Sequence, residues 1–127
     1  MREWLLVAAG GALGSVARYG LAGVIQSRSA SGFPFGTLVV NLTGCFAIGV
    51  LMHVGLASER GTPLRLLLVT GVLGGYTTYS AFNYETLELV RAGQLGRALA
   101  YVAATLLLGL AAGAAGLALG RAFTPTG

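Results

Sequence analysis

The chain has 127 residues, of which 55% are hydrophobic and only 9% are charged. Soluble domains carry about 25% charged residues, so this composition indicates an integral membrane protein. The net charge of +4 comes from eight arginines scattered between apolar segments, a distribution that argues against nucleic-acid binding. With one cysteine and one histidine, the chain can build neither a disulfide framework nor a metal centre from these side chains. The sequence also lacks the nucleophile-and-base motif that would indicate an enzyme.

Four apolar segments are long enough to cross a membrane as helices, since roughly 30 Å of hydrocarbon takes about 20 residues. They lie at about residues 4–26, 36–57, 64–90 and 97–122. The connectors between them are short, so neighbouring helices are expected to run antiparallel. The sequence therefore predicts an all-α membrane protein in which residues 1–127 form a single four-helix transmembrane domain.

The first segment has an alternative interpretation as a cleavable secretory signal, because Arg2 precedes an apolar run that reaches the small residues 15–17. The segment continues without a break through Arg18 to Gln26, which is the length of a membrane span and favours the helix. A charge at the bilayer centre costs about 2.5–3.5 kcal/mol, so we interpret Arg18 as a vestibule charge or an interfacial anchor.

Glycines spaced four residues apart recur in the first, third and fourth segments. Small residues at this spacing allow the backbones of membrane helices to approach closely. The pairs are Gly10 with Gly14, Gly71 with Gly75, Gly109 with Gly113, and Gly116 with Gly120. We expect them to form helix packing faces.

In the second segment, Thr37 and Asn41 are four residues apart and share one helix face. An asparagine within hydrocarbon must find hydrogen-bond partners, and two interpretations of Asn41 are open. In the first, Asn41 forms interhelical hydrogen bonds. In the second, its amide donates to an anion that passes through the protein.

The third segment contains residues 74–82, GGYTTYSAF, in which two glycines precede three Thr or Ser hydroxyls. We interpret this stretch as a break in the helix near the bilayer midplane, where freed carbonyls commonly coordinate a cation. The alternative is a continuous helix whose hydroxyls bond to preceding carbonyls. Further along the same segment, Glu85 and Glu88 are expected to be solvated, with burial and pairing of Glu85 as the alternative.

Aromatic and hydroxyl side chains follow the predicted break. Tyr79 and Phe82 are three residues apart and share a face. The electropositive edges of their rings attract an anion without a fixed positive charge, although simple packing is the alternative. In the fourth segment, Tyr101, Thr105 and Gly109 recur every four residues and form a polar stripe that suits the wall of a narrow pore.

The arginines are divided equally between the two sides of a four-helix topology. Arg2, Arg60, Arg65 and Arg121 fall on one side. Arg28, Arg91 and Arg97 fall on the other, together with Arg18 if it reaches that interface. Arginine and lysine orient a membrane protein through their bias between the sides, so this balance permits insertion in both orientations. Such chains would most simply assemble as an antiparallel pair.

At three of these motifs the chain resembles the Fluc (CrcB) family of fluoride channels, and the match extends over nearly its whole length. The matching stretches are residues 10–19 (GGALGSVARY), residues 35–41 (FGTLVVN) with Gly44 and Phe46, and residues 71–82. The usual TTFSTF of the family reads TTYSAF here, so Tyr79 replaces a phenylalanine and Ala81 replaces a threonine.

The resemblance implies a passive fluoride-selective channel in the cell (inner) membrane of a microbe. It implies an antiparallel, dual-topology homodimer with two pores that export fluoride from the cytoplasm. By the same resemblance, the pore is lined by Asn41, Thr37, Tyr79, Phe82, Tyr101, Thr105 and Ser80. Backbone carbonyls of Gly74 and Thr77 would hold a structural sodium ion at the dimer centre, and Arg18 would flank the vestibule.

Two other functions fit parts of the sequence. A small proton-coupled drug exporter can also have four helices and dual topology, but it needs a carboxylate within its first helix, where this chain has only Glu3 at the start. A non-conducting assembly subunit would explain the glycines through packing alone, but it leaves Asn41 and the break without a function. The sequence therefore favours the fluoride channel.

Overall fold

The computed structural model describes residues 1–53 and 62–123, and every regular element within these ranges is a helix. The elements are α1 (Arg2–Ser27), α2 (Phe35–His53), α3 (Pro63–Arg65), the π-helix π1 (Leu66–Leu73), α4 (Gly74–Tyr76), α5 (Tyr79–Arg91) and α6 (Leu95–Phe123). The predicted end of the second helix beyond His53 and most of the following connector, including Arg60, lie outside the described residues.

Within the described ranges, α1, α2 and α6 are long and apolar enough to cross a membrane. The third predicted segment has a different form, because α3, π1 and α4 follow one another up to Tyr76 and α5 begins at Tyr79. Thr77 and Thr78 have extended backbones, with ψ angles of 151° and 118°. The helix is therefore interrupted at these two threonines, and the alternative of a continuous helix is wrong.

The helices approach one another at glycines. α1 packs along π1 and α4, and α2 packs along α6. A Cβ at Gly14 would overlap a carbonyl oxygen of π1, and a Cβ at Gly116 would overlap a carbonyl oxygen of α2. The backbones are therefore in contact, as expected for small residues at this spacing. The backbones approach less closely at Gly109 and Gly113. A Cβ at Gly109 would lie 3.7 Å from an atom of Cys45, and a Cβ at Gly113 would lie 3.6 Å from one, which are ordinary contact distances.

The connector between α1 and α2 and the connector between α5 and α6 meet at one end of the molecule. They turn at Gly32 (φ 68°) and Gly93 (φ 73°), in the left-handed region that glycine adopts most readily. Arg97 Nη1 in α6 donates to the Ser31 carbonyl oxygen at 2.8 Å and joins α6 to the first connector. The buried core cluster consists of Leu38, Phe82, Leu89, Ala98 and Tyr101. This core joins α2, α5 and α6 and places two of the predicted pore residues side by side.

Candidate functional site

Asn41 of α2 bridges the break between α4 and α5. Its Nδ2 donates to the Thr78 carbonyl oxygen at 3.1 Å, and its Oδ1 accepts from the Thr78 amide at 2.8 Å. The interhelical hydrogen bonding that the sequence analysis considered is therefore present. An asparagine amide carries two donor hydrogens, so one of them remains available to another acceptor.

The carbonyls of Gly74 and Thr77 are among those that the break releases from helical hydrogen bonds. The Thr78 amide would donate to the Gly74 carbonyl in a continuous helix, but it donates to Asn41. The Ala81 amide would donate to the Thr77 carbonyl, but it donates to the Thr78 hydroxyl at 3.2 Å. Gly74 and Thr77 are the residues whose carbonyls the sequence analysis assigned to sodium, and released carbonyl oxygens suit that ion. The residues present are therefore compatible with a sodium site.

Arg18 is attached to the same break from α1. Its Nε donates to the Gly75 carbonyl oxygen at 3.2 Å, and the Ser15 hydroxyl lies 3.5 Å from the same oxygen. These side chains supply donors to a carbonyl that the break would otherwise leave without one. Arg18 thus anchors α1 to the end of α4, and its contribution to a vestibule stays a prediction.

A cavity of about 530 Å³ lies beside the break, and we call it the break cavity. Its polar lining side chains are Asn41, Cys45, Thr77, Thr78, Tyr79 and Thr105, and none of the described lining residues is charged. The Thr105 hydroxyl is buried and has no hydrogen-bond partner within the described part of the chain. Buried hydroxyls are normally hydrogen-bonded, so this one is available to a ligand in the cavity.

The aromatic rings of three predicted pore residues form a row. The ring centroids of Tyr79 and Phe82 are 5.6 Å apart, with an interplanar angle of 53°. Tyr101 of α6 continues the row, with its centroid 5.2 Å from that of Phe82. Tyr79 and Phe82 line the break cavity, but Tyr79 is 79% exposed whereas Phe82 is 8% exposed. The row therefore runs from the surface into the core.

Ser80 is a predicted pore residue that the structure leaves outside the break cavity. The residue is exposed, and its hydroxyl lies 3.2 Å from the Thr78 hydroxyl. Thr78 caps the first turn of α5 by accepting from the Ala81 amide. Ser80 thus contacts the capping residue of α5, and its contact with fluoride stays a prediction.

Thr37 and Tyr101 meet at a carboxylate that we expected to be solvated. The Thr37 hydroxyl donates to Glu85 Oε1 at 2.6 Å, and the Tyr101 hydroxyl donates to Glu85 Oε2 at 2.6 Å. The alternative for Glu85 is therefore confirmed in its pairing, and the residue is half-buried, whereas Glu88 is exposed as expected and lies 3.7 Å from Arg91. We call Thr37, Glu85 and Tyr101 the carboxylate cluster.

The spacing of residues in α5 contains the signal that identifies Glu85. Glu85 follows Phe82 by three residues and precedes Leu89 by four, and these two are the buried residues of α5. Residues at such spacing share a helix face. The spacing of Glu85 from these two apolar residues therefore places the carboxylate on the helix face that they occupy.

A second cavity, of about 400 Å³, lies between the two described connectors, and we call it the connector cavity. Glu85 lines the connector cavity but not the break cavity, and Phe82 lines the break cavity but not the connector cavity. The ring of Tyr101 contacts Phe82 and its hydroxyl contacts Glu85. The carboxylate cluster therefore contacts the lining of both cavities.

Comparison with known proteins identifies the family of this chain. The sequence model of the CrcB-like protein family, described as Camphor Resistance (CrcB), matches residues 5–117. The chain is 47% identical over 122 residues to a fluoride-specific ion channel FluC of Thermus thermophilus, covering 96% of this chain and 98% of the relative. Proteins of the same name from Paracoccus denitrificans and Rhizobium meliloti are 49% and 48% identical, over 93% and 96% of this chain and 94% and 98% of theirs. Because the match extends over nearly the whole length, this chain belongs to the CrcB-like protein family.

Proposed function

We propose that this chain forms a fluoride-selective channel through which fluoride leaves the cytoplasm passively. The observation that carries the proposal is its identity of 47% to 49% with proteins named fluoride-specific ion channels, over 93% or more of the chain. The break cavity supports the proposal, because it offers hydrogen-bond donors and aromatic edges and no charged side chain among its described lining residues. This lining suits passage of an anion and not covalent catalysis.

The groups in the break cavity can replace the water around fluoride. A small anion gives up hydration when it enters a narrow pore, so the wall must supply donors. The free hydrogen of the Asn41 amide and the unpartnered Thr105 hydroxyl are such donors. The edges of Tyr79 and Phe82 add electropositive surface. Because none of these groups carries a full charge, the anion is attracted and is still able to leave.

The carboxylate cluster would form the next part of the path. The hydroxyls of Thr37 and Tyr101 donate to Glu85. Fluoride arriving from the break cavity would compete with the carboxylate for these hydroxyls, since both anions accept short, strong hydrogen bonds. Release into the connector cavity would return the hydroxyls to Glu85. Ser80 would act at the exposed side of the break, where its hydroxyl is accessible.

The proposal includes a four-span topology and an antiparallel, dual-topology homodimer with two pores. α3, π1, α4 and α5 would together form the third span, with the break near the bilayer midplane. The equal division of arginines supports insertion in both orientations. The 79% exposure of Tyr79 beside the break cavity leaves this face open to a second copy of the chain. The protein would be a multi-pass protein of the cell (inner) membrane.

Sodium is the proposed structural ion of this dimer. The carbonyl oxygens of Gly74 and Thr77 from both copies would hold it at the dimer centre, where the two breaks meet. The bound ion would supply positive charge that balances carbonyl dipoles released from helical hydrogen bonds. Elemental analysis of the purified protein after desalting into ammonium buffer tests this site. A single retained sodium ion per dimer is expected, and its absence from folded dimer would contradict the proposal.

A passive channel is sufficient to remove fluoride. Fluoride enters a cell as neutral HF from acidic surroundings and dissociates in a near-neutral cytoplasm, where the anion is trapped. A membrane potential that is negative inside drives an anion outward, by about 2.3 kcal/mol per 100 mV. No nucleotide hydrolysis is needed, and the sequence contains no Gly-x-x-x-x-Gly-Lys loop.

Fluoride efflux from liposomes tests the proposed function directly. The purified protein is reconstituted into liposomes loaded with potassium fluoride, and an electrode records fluoride after valinomycin is added. Matched liposomes loaded with potassium chloride measure selectivity. We expect rapid loss of fluoride and little loss of chloride. No fluoride loss from liposomes that contain folded protein would overturn the proposal.

A further inference from the structure

Phe33, in the first connector, packs against the carboxylate cluster. Its ring meets the Tyr101 ring edge to face, with centroids 5.5 Å apart and an interplanar angle of 80°. Phe82 contacts the same tyrosine ring, with centroids 5.2 Å apart. Tyr101 is thus held between a ring from the connector and a ring from α5, and its exposed fraction is 0%.

Hydrogen bonds from α1 and α6 hold the backbone around Phe33. Gln26 of α1 uses both ends of its side-chain amide: Nε2 donates to the Phe33 carbonyl at 3.1 Å, and Oε1 accepts from the Gly36 amide at 3.2 Å. Arg97 of α6 donates to the Ser31 carbonyl at 2.8 Å. Phe33 therefore has a defined position relative to α1, α2 and α6 although it lies in a connector.

The position of the Phe33 ring controls the space beside Tyr101. Gly32 and Pro34, the two neighbours of Phe33, line the connector cavity, whereas the ring of Phe33 packs on the tyrosine. Without this ring, Tyr101 would keep only one of the two aromatic rings that hold it, that of Phe82. The tyrosine ring would then have room to shift, and a shift would take its hydroxyl away from Glu85.

We propose that Phe33 is a positioning residue of the anion path. Its ring holds the Tyr101 hydroxyl against Glu85 and keeps the passage between the two cavities narrow enough to select fluoride over chloride. This inference rests on the proposed fluoride-channel function. Chloride is larger than fluoride and gains less from hydrogen-bond donors, so a wider passage admits chloride while a displaced donor slows fluoride.

The test compares fluoride and chloride efflux in Phe33→Ala, Phe33→Leu and Phe33→Tyr. In Phe33→Ala, the ratio of fluoride to chloride efflux is expected to fall about tenfold, because an aromatic pair is lost and chloride enters the widened passage. Phe33→Tyr retains the ring and is expected to keep the wild-type ratio. Phe33→Leu retains much of the volume without the ring edge and is expected to give an intermediate ratio.

The ratio distinguishes positioning from a purely structural effect. A loss of folded protein lowers fluoride efflux and leaves chloride efflux at the level of protein-free liposomes, whereas a widened passage raises chloride efflux above that level. Phe35→Ala is the matched control, because Phe35 is 41% exposed and its ring contacts Phe33 at 4.7 Å. This variant removes a neighbouring aromatic ring and leaves Phe33 in place, so the wild-type ratio is expected.

The possible outcomes separate this inference from the proposed function. Wild-type fluoride efflux together with an unchanged ratio in folded Phe33→Ala overturns the inference and leaves the channel function standing. If Phe33→Ala does not fold, an unchanged ratio in Phe33→Leu overturns the inference in the same way. Absence of fluoride efflux from the wild-type protein overturns the proposed function and the inference with it.

Discussion

Asn41 and Thr78 form a reciprocal pair of hydrogen bonds across the helix break. The Asn41 Nδ2 donates to the Thr78 carbonyl oxygen at 3.1 Å, and the Thr78 amide donates to the Asn41 Oδ1 at 2.8 Å. Extended backbone has no helical hydrogen-bond partners, and within hydrocarbon such backbone needs partners from the protein. A single side chain from α2 thus satisfies both backbone groups of an extended residue between α4 and α5.

Substitution of Asn41 by aspartate is expected to lower fluoride efflux by at least about tenfold. Asn41→Asp retains the size and one acceptor, but it places a carboxylate oxygen opposite the Thr78 carbonyl and adds negative charge to the lining of the break cavity. Fluoride efflux from liposomes measures the effect. Asn83→Asp is the matched control, because Asn83 is exposed on α5. Wild-type efflux in Asn41→Asp would show that Asn41 contributes only to packing.

Removal of the Thr105 hydroxyl is expected to reduce conduction without loss of stability. Thr105→Val keeps the shape of the side chain and removes a hydroxyl that has no partner within residues 1–53 and 62–123. We expect fluoride efflux to fall about tenfold and the free energy of unfolding to change by less than about 0.5 kcal/mol. Thr86→Val is the control, since the Thr86 hydroxyl donates to the Phe82 carbonyl of its own helix at 2.7 Å. An unchanged efflux rate in Thr105→Val would exclude this hydroxyl from the path.

Truncation of Glu85 to alanine is expected to destabilise the protein and to disturb the proposed anion path. Glu85→Ala leaves the hydroxyls of Thr37 and Tyr101 without their acceptor, and each buried unsatisfied group costs about 1–3 kcal/mol. Thermal unfolding in detergent measures the loss. Glu88→Ala provides the control, because its surface ion pair with Arg91 contributes little. Equal melting temperatures for the two variants would contradict the inferred importance of the carboxylate cluster.

Two glycines of α1 are expected to differ in their tolerance of a methyl group. A Cβ at Gly14 would overlap the Val72 carbonyl oxygen, so Gly14→Ala forces the backbones of α1 and π1 apart and is expected to cost about 1–3 kcal/mol. At Gly23 a Cβ would meet no atom within 4 Å beyond its neighbours in the same helix, so Gly23→Ala is expected to be neutral or stabilising. Melting temperatures of the two variants provide the comparison. A Gly14→Ala protein as stable as the wild type would show that the contact between these helices adjusts easily.

Local sequence patterns predicted the features that depend on neighbouring residues. Apolar length identified the three described helices that can span a membrane, and the glycine pair followed by hydroxyl residues identified the break, which lies at Thr77 and Thr78. Spacing also placed Tyr79 beside Phe82, and their ring centroids are 5.6 Å apart. Each of these features depends on residues that are close in the sequence. The length of the apolar run sets a span, the backbone freedom of glycine permits the break, and the helix period decides which side chains share a face.

The sequence by itself determined the helical character of the chain, the three helices long and apolar enough to cross a membrane, and the membership of the family. Only the tertiary structure decided which side chains and backbone groups meet. The Thr37 hydroxyl reaches a carboxylate 48 positions away, and the Arg97 guanidinium reaches a connector carbonyl 66 positions away. The position of Phe33 on Tyr101 likewise depends on how the first connector folds onto α6. Such contacts depend on which faces of packed helices meet, and close packing between distant segments decides this.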